Sequence, residues 1–222
     1  MKAMILAAGR GERMLPLTQN TPKSLLCINH KPLIVYHIEN LAAAGFNELV
    51  INVSYLGSHI IQAIGNGEKW NVQITYSTED TPLEVAGGIV HALPLLGDMP
   101  FLTVNADIWT DYPFAQLKSL AVENAHLVLT PTPDYYPQGD FSLEYQKIIP
   151  AKPNNALIAT GITLYHPRFF SRIKHGIQRM GTLWHEAVAH KELTGECYTG
   201  KWYDIGTPER FSKINAEFNL NN

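Results

Sequence analysis

The strongest constraint on the fold is the apolar run from Ala3 to Ala8, which leads directly into a glycine-bearing loop. An uninterrupted apolar run of this length is typical of a strand that is buried on both faces, as strands of parallel sheets are. Gly9 and Gly11 then allow a sharp turn where the strand ends. The sequence therefore predicts a central parallel strand whose carboxyl end opens into a loop.

Strand and helix signals alternate along the rest of the first half. The predicted strands after the first are residues 48–53, 72–76 and 100–105, and the predicted helices are 33–44, 57–64 and one that opens at 84–90. This alternation favours parallel strands joined by right-handed helical crossovers. We therefore predict an α/β fold, a Rossmann-like α/β/α sandwich with a mixed, mostly parallel sheet. Ligands of such sheets bind at the carboxyl ends of the strands.

The second half is less regular and predicts a mixed sheet with substrate loops. The predicted strands are residues 127–132, 141–143, 147–149, 157–165 and 198–205, and the predicted helices lie near 168–175, 181–192 and 208–219. A chain of 222 residues with 45% hydrophobic content buries one sizeable core without staples. Residues 1–222 are therefore expected to form a single catalytic domain.

Composition excludes several classes of function. A net charge of −3 without runs of Lys or Arg argues against nucleic-acid binding. Cys27 and Cys197 are too few for a disulfide framework or a cysteine metal cage, and they favour a reducing compartment. The chain has neither a signal-peptide core nor a stretch of membrane-spanning length. We expect a cytoplasmic protein without a membrane partner.

The loop after the first strand has the chemistry of an anion site. Glycines at 9 and 11 allow backbone N–H groups to point at a phosphate, and Arg13 and Lys23 add positive charge. The Walker A pattern is absent, because no Gly-Lys-Ser/Thr follows the glycines. The dinucleotide fingerprint also fails, because Met14 stands where it requires a third glycine.

The pattern Leu-x-x-Gly-x-Gly-x-Arg-x-x-Pro-Leu-Thr followed by Thr-Pro-Lys resembles the sugar-1-phosphate nucleotidyltransferases, or nucleoside-diphosphate-sugar pyrophosphorylases. The resemblance extends over essentially the whole chain and implies their nucleotide-diphospho-sugar transferase fold, without the C-terminal β-helix of larger members. It implies UTP and a sugar 1-phosphate as substrates, with N-acetylmuramate 1-phosphate favoured and peptidoglycan recycling as the context. A monomer or small homo-oligomer is expected.

The resemblance also implies roles for individual residues. Lys23 and Arg13 are the expected catalytic residues, and Asp107 and Asp204, in Asn-x-Asp and Trp-x-Asp-Ile-Gly-Thr, are the expected ligands of Mg²⁺. Asn105 and Asp140 are expected to bind the sugar. The expected nucleotide-binding residues are Leu6, Ala8, Gly9, Gly11, Glu12, Arg13, Lys23, Glu84 and Gly87.

The base and the sugar stay open at this stage. Guanylyl-, thymidylyl- or cytidylyltransferases share the phosphate loop and the pair of aspartates, and an inactive nucleotide-sugar sensor is an alternative of another class. Leu15, Ala86 and Ala106 depart from the family pattern. Lys152 follows Ala151, where relatives have glutamate, so its expected contact with the sugar phosphate is only weakly supported.

Overall fold

A computed structural model describes residues 1–220, and its main body is a nine-stranded sheet covered by helices. The strands are β1 (Ala3–Leu6), β2 (Cys27–Ile28), β3 (Lys31–Pro32), β4 (Glu48–Val53), β5 (Gln73–Thr78), β6 (Phe101–Asn105), β7 (Ile108–Thr110), β8 (Ala125–Pro131), β9 (Phe141–Glu144), β10 (Lys147–Pro150), β11 (Leu157–Tyr165), β12 (Leu193–Cys197) and β13 (Trp202–Asp204). The helices are α1 (Leu33–Ala43), α2 (Gly57–Ile64), α3 (Glu84–Leu96), α4 (Met180–Ala189) and α5 (Pro208–Leu220).

The large sheet has the strand order β5-β4-β1-β6-β11-β8-β12-β10-β9. Strands β5, β4, β1 and β6 run parallel to their neighbours. Strand β11 is antiparallel to both β6 and β8, whereas β12 is parallel to β8. Two short ribbons, β2–β3 and β7–β13, lie outside this sheet. The predicted α/β fold with a mixed sheet is confirmed.

Alternating side chains of the buried strands supply two separate cores. Ile5 packs with α1 and α2 on one face of the sheet, and Met4 packs with α3 and α4 on the other. This is the alternation that a strand imposes on its side chains, and it produces the predicted three layers. A third cluster, formed by Met14, Ile205, Ile214 and their neighbours, attaches α5 to the glycine loop.

The second half departs from its predicted boundaries in three places. The helix predicted at 168–175 is only a 3-10 helix, Pro167–Phe170. The last strand begins at Trp202 rather than at 198, and residues 193–197 form the unpredicted β12. Strand β12 has little strand propensity of its own and depends on parallel pairing with β8. A methyl group at its Gly195 would lie 2.7 Å from the Leu127 carbonyl oxygen.

None of the helices within residues 1–220 combines the length and the apolar character that crossing a bilayer requires.

Candidate active site

A cavity of about 520 Å³ opens at the carboxyl ends of β1, β4 and β6. This is the edge at which a parallel α/β sheet binds its ligands. Its wall combines the glycine loop, the residues after β6 and the start of α3. The sequence-predicted site residues in the wall are Leu6, Ala8, Gly9, Gly11, Glu12, Arg13, Lys23, Glu84, Asn105 and Asp107.

The glycine loop folds tightly around the base of Lys23. Gly11 has φ +66°, and a methyl group there would lie 3.0 Å from a Thr18 methyl carbon and 3.2 Å from the Lys23 Cβ. The Thr18 hydroxyl donates to the Gly11 carbonyl oxygen at 2.8 Å and closes the turn. Around Gly9, by contrast, a Cβ would meet no atom within 4 Å. A ligand can therefore approach the backbone at Gly9.

Lys23 carries a buried positive charge into this cavity. Its residue is only 9% exposed, and its Nζ donates to Asp107 Oδ2 at 2.7 Å. Asp107 comes two residues after the end of β6, and Pro22 precedes the 3-10 helix that begins at Lys23. A buried ammonium needs such a partner, because an unpaired charge is costly away from water. The pair holds the ammonium in the cavity.

The short ribbon β7–β13 brings Asp204 beside Asp107. Asp204 lies opposite Ile108 across the ribbon, and the Ile205 N–H donates to the Asp107 carbonyl oxygen at 3.0 Å. Burial and the negative charge of Asp107 together raise the pKa of Asp204, against the opposing effects of Arg210, Lys23 and Arg13. Two carboxylates far apart in the sequence thus share one site.

The donor set of this site suits a hard divalent cation. Asp107 and Asp204 offer carboxylate oxygens, and their mutual repulsion favours a cation between them. Among residues 1–220, no group of three or more His, Cys, Asp or Glu side chains could form a closed metal cage. Mg²⁺ commonly binds one or two carboxylates together with water and substrate phosphates. The two aspartates therefore fit Mg²⁺ better than a structural metal.

A buried pair that the sequence analysis missed connects the glycine loop to the start of α3. Asn52 accepts the Ala7 N–H at 2.8 Å through Oδ1 and donates to Glu79 at 2.7 Å. The other Glu79 oxygen accepts the Leu83 N–H at 2.9 Å. Both side chains line the cavity. The available signal was a polar residue inside the otherwise apolar strand β4.

Three of the sequence-predicted site residues, Gly87, Asp140 and Asp204, lie outside this cavity wall, although Gly206, two residues after Asp204, belongs to it. The Gly87 N–H donates to the Gln178 carbonyl oxygen at 3.2 Å, and a methyl group at Gly87 would lie 2.2 Å from the Gly176 carbonyl oxygen. A small residue is therefore required here because two chain segments cross at Gly87. Asp140 accepts the Ala159 N–H at 2.9 Å and the Tyr136 hydroxyl at 3.2 Å, which orders its own loop.

The start of α3 has a strained backbone. Glu84 is exposed at the cavity and has φ +62°, a conformation that residues other than glycine rarely adopt. Such strain is concentrated at ligand-binding positions. In contrast, Lys152 is exposed and forms an ion pair with Glu144, away from this cavity wall.

Comparison with known proteins gives full-length matches. The nucleotidyl transferase family matches residues 2–220. An N-acetylmuramate alpha-1-phosphate uridylyltransferase from Neisseria meningitidis serogroup B is 44% identical over 97% of both chains. A mannose-1-phosphate guanyltransferase from Schizosaccharomyces pombe is 32% identical over 95% of this chain, which spans 62% of that relative's length.

Solved structures show the same fold at lower identity. A protein from Bacillus anthracis, assigned as a glucose-1-phosphate thymidylyltransferase and solved with sucrose, has a TM-score of 0.87 and 24% identity. That match covers 98% of this chain and 94% of the other. HddC from Yersinia pseudotuberculosis, solved with GMP-PN, has a TM-score of 0.80 and 18% identity, covering 98% and 99% of the two chains. These likenesses establish the fold.

Proposed function

The chain belongs to the nucleotidyl transferase family, and from this premise we propose that it forms a UDP-sugar and pyrophosphate from UTP and N-acetylmuramate 1-phosphate. Sugar-1-phosphate nucleotidyl transfer is the general reaction, and the uridylyl group and the muramate are the specific proposal. The observation that carries it is 44% identity to an N-acetylmuramate alpha-1-phosphate uridylyltransferase over 97% of both chains.

The proposed reaction is an in-line attack by an oxygen of the sugar 1-phosphate on the α-phosphorus of UTP. Both reactants are anions, so their repulsion contributes much of the barrier. One positive charge about 4 Å from a phosphate oxygen is worth roughly 4 kcal/mol at an effective dielectric of about 20, before solvation losses. The attacking oxygen is already ionised and needs no general base. Catalysis is therefore mainly alignment and charge neutralisation.

The residues of the cavity have the charges that this reaction needs. Lys23 would contact the phosphates, and Arg13 with the N–H groups of the glycine loop would stabilise the leaving pyrophosphate. Asp107 and Asp204 would hold Mg²⁺, which when bound supplies further positive charge to phosphate oxygens. Glu84, at the start of α3, lines the same cavity and would contact the base.

We also propose that the enzyme works in the cytoplasm, within peptidoglycan recycling. Cys27 and Cys197 are free and exposed, which fits a reducing compartment.

The test is a matrix of UTP, GTP, dTTP and CTP against N-acetylmuramate, N-acetylglucosamine, mannose and glucose 1-phosphates, with pyrophosphate release as the readout. We expect the highest kcat/KM with UTP and N-acetylmuramate 1-phosphate. A clear preference for another pair would replace the proposed substrates within the same reaction. Binding of a nucleotide sugar without release from any pair would instead indicate a sensor.

A further inference from the structure

A second, smaller cavity of about 230 Å³ is lined by Asp204. It is enclosed by the segment after β8, by β13 and by α5. Among the described residues of its wall, the charged side chains are Asp204, Arg210 and Lys213, and the rest are aromatic, apolar or hydroxyl-bearing. Two cations and one carboxylate leave one net positive charge in a pocket with apolar sides.

Arg210 is held in a geometry suited to recognising a carboxylate. Its Nη1 donates to Asp204, and its guanidinium carbon lies 3.6 Å from the centroid of the Tyr135 ring. Within residues 1–220, Nη1 is the only guanidinium nitrogen of Arg210 that forms a hydrogen bond or an ion pair. Nε and Nη2 remain as donors on a stacked, planar fork, the arrangement with which arginine binds carboxylates.

The helix α5 places the second cation beside the first. Arg210, Lys213 and Ile214 are spaced at i, i+3 and i+4 and therefore share one face. Ile214 is 1% exposed and anchors this face in the core beside Ile205. Lys213 is exposed at the cavity rim. The helix is thus fixed by packing while its polar residues face the pocket.

We propose that this second cavity binds the carboxylate carried by the sugar of the sugar 1-phosphate, with Arg210 as the main contact and Lys213 as a supporting charge. The inference rests on the proposed function, because N-acetylmuramate differs from N-acetylglucosamine by a lactyl ether that bears a methyl group and a carboxylate. The apolar sides fit the methyl group. The single net positive charge matches one carboxylate rather than a doubly charged phosphate.

Asp204 lines this second cavity, and Asp107, Lys23 and Arg13 of the first cavity wall act electrostatically on its carboxylate, so the pocket adjoins the proposed reaction centre. The ring carbons that carry the phosphate and the lactyl ether are separated by one other carbon. A sugar whose phosphate lies at Asp107 and Asp204 therefore extends its acidic substituent toward Arg210. This position makes the pocket a determinant of sugar choice.

The test compares N-acetylmuramate 1-phosphate with N-acetylglucosamine 1-phosphate, which share the phosphate and the N-acetyl group and differ in the lactyl ether. The readout is the ratio of the two kcat/KM values, together with the calorimetric affinities of the two UDP-sugar products. For Arg210→Gln we expect the ratio to fall by about tenfold or more, because hydrogen bonds to a charged partner are lost. Arg210→Lys should lower the ratio less, because the positive charge remains although the planar pair of guanidinium donors is lost.

Lys213→Gln, an exposed substitution that does not endanger folding, should lower the ratio by about two- to threefold and make it less sensitive to salt. Lys69→Gln is the matched control, because Lys69 is exposed in a distant 3-10 helix over Trp70, and its ratio should equal that of the wild type.

Unchanged ratios and product affinities in both Arg210 variants and in Lys213→Gln would overturn the proposed pocket while leaving the muramate substrate intact. A wild-type enzyme that uses both sugars equally would overturn the pocket and the proposed sugar together. A wild-type preference for N-acetylmuramate 1-phosphate, together with a lower ratio in the Arg210 variants, would support both the pocket and the proposed sugar.

Discussion

The two ends of the large sheet differ in strand direction and in how far apart in sequence their paired strands lie. At the end formed by β5, β4, β1 and β6, the four strands run parallel to one another, and each contributes to the cavity wall with its carboxyl end or with the segment that follows it. At the other end, the parallel β8–β12 pairing stands among antiparallel ones, and the adjacent strands β8, β11 and β12 are widely separated in sequence. The proposed triphosphate side is therefore locally encoded, whereas the proposed sugar side depends on long-range assembly.

The two ends meet at Asn105, Asp107 and Asp204. Strand β6 belongs to the parallel end, but its other neighbour is the antiparallel β11. The ribbon β7–β13 then brings Asp204 of the second half to Asp107 of the first. The charged centre therefore lies where the two ends of the sheet join. Substitutions on its two sides should differ in how they change turnover and the KM values of the two substrates.

The largest effect is expected on the locally encoded side. Lys23→Ala removes the buried ammonium and leaves Asp107 without it, so turnover should fall by about 10²-fold or more. Lys31→Ala is the matched control, because Lys31 also forms an ion pair at 2.7 Å, with Glu39, outside the cavity. Pyrophosphate release measures both variants. Near-normal turnover of Lys23→Ala would remove Lys23 from the proposed mechanism.

An intermediate effect is expected from the buried bridge between the glycine loop and α3. Asn52→Ala leaves the Ala7 N–H and Glu79 without their partner, at a cost of about 1–3 kcal/mol for each unpaired buried group. For the two groups together the Tm should fall by roughly 4–24 °C, at about 2–4 °C for each kcal/mol in a chain of this size. The KM for UTP should rise about tenfold, because the nucleotide contacts are displaced by a fraction of an ångström. The KM for the sugar phosphate should change little.

The control for Asn52 is Asn66→Ala, since Asn66 is exposed and its side-chain Oδ1 accepts the Glu68 N–H at 3.2 Å, while its backbone bond to Ile74 survives the substitution. Thermal melts and the two KM values distinguish the variants. Equal rises in both KM values for Asn52→Ala would show that the bridge serves the whole site rather than the nucleotide side.

The smallest effect is expected beside the junction, at Gly161, which packs against Asn105. Gly161 and Gly97 both have φ +83°, but a methyl group at Gly161 would lie 2.6 Å from Asn105 Nδ2, whereas none of the described atoms lies within 4 Å at Gly97. Both alanine variants carry backbone strain of roughly 1–2 kcal/mol. Only Gly161→Ala should also raise the KM for the sugar phosphate, because it displaces Asn105. Identical kinetics in the two variants would separate Asn105 from sugar binding.

Two elements in the first half of the chain show what the sequence predicted well. Residues 48–53 and 57–64 have the predicted boundaries because their apolar periodicity and the glycines after Ile64 are local signals. Strand β12 was missed because Gly195 and Glu196 indicate no strand on their own, and parallel pairing with β8 supplies the stabilisation. Periodicity and turn residues therefore predict the elements that short-range signals define, but not a strand that depends on pairing with a distant segment.

The site residues also fall into two groups: those that a local motif predicts and those that only the folded chain brings together. Lys23, Asp107 and the glycine loop were predicted from motifs and lie together in one cavity wall. The Asn52–Glu79 pair and Arg210 were missed, because a hydrogen bond between two strands, or between a strand and a helix, has no spacing rule in the sequence. Nucleotide binding at Gly87 stays a prediction, and its close packing against Gly176 was not foreseen, since a glycine required for a chain crossing has the same local pattern as one that admits a ligand.

The central claim is that Asp107 and Asp204 act as one unit across the junction. The direct test is pyrophosphate release by Asp107→Ala, Asp204→Ala and the double variant, each checked for folding by its thermal melt. Each single variant should lose about 10²-fold or more in turnover. The double variant should be no worse than the more damaged single, since groups that act together are not additive. Near-normal turnover in either single variant, or losses that multiply in the double variant, would contradict the account.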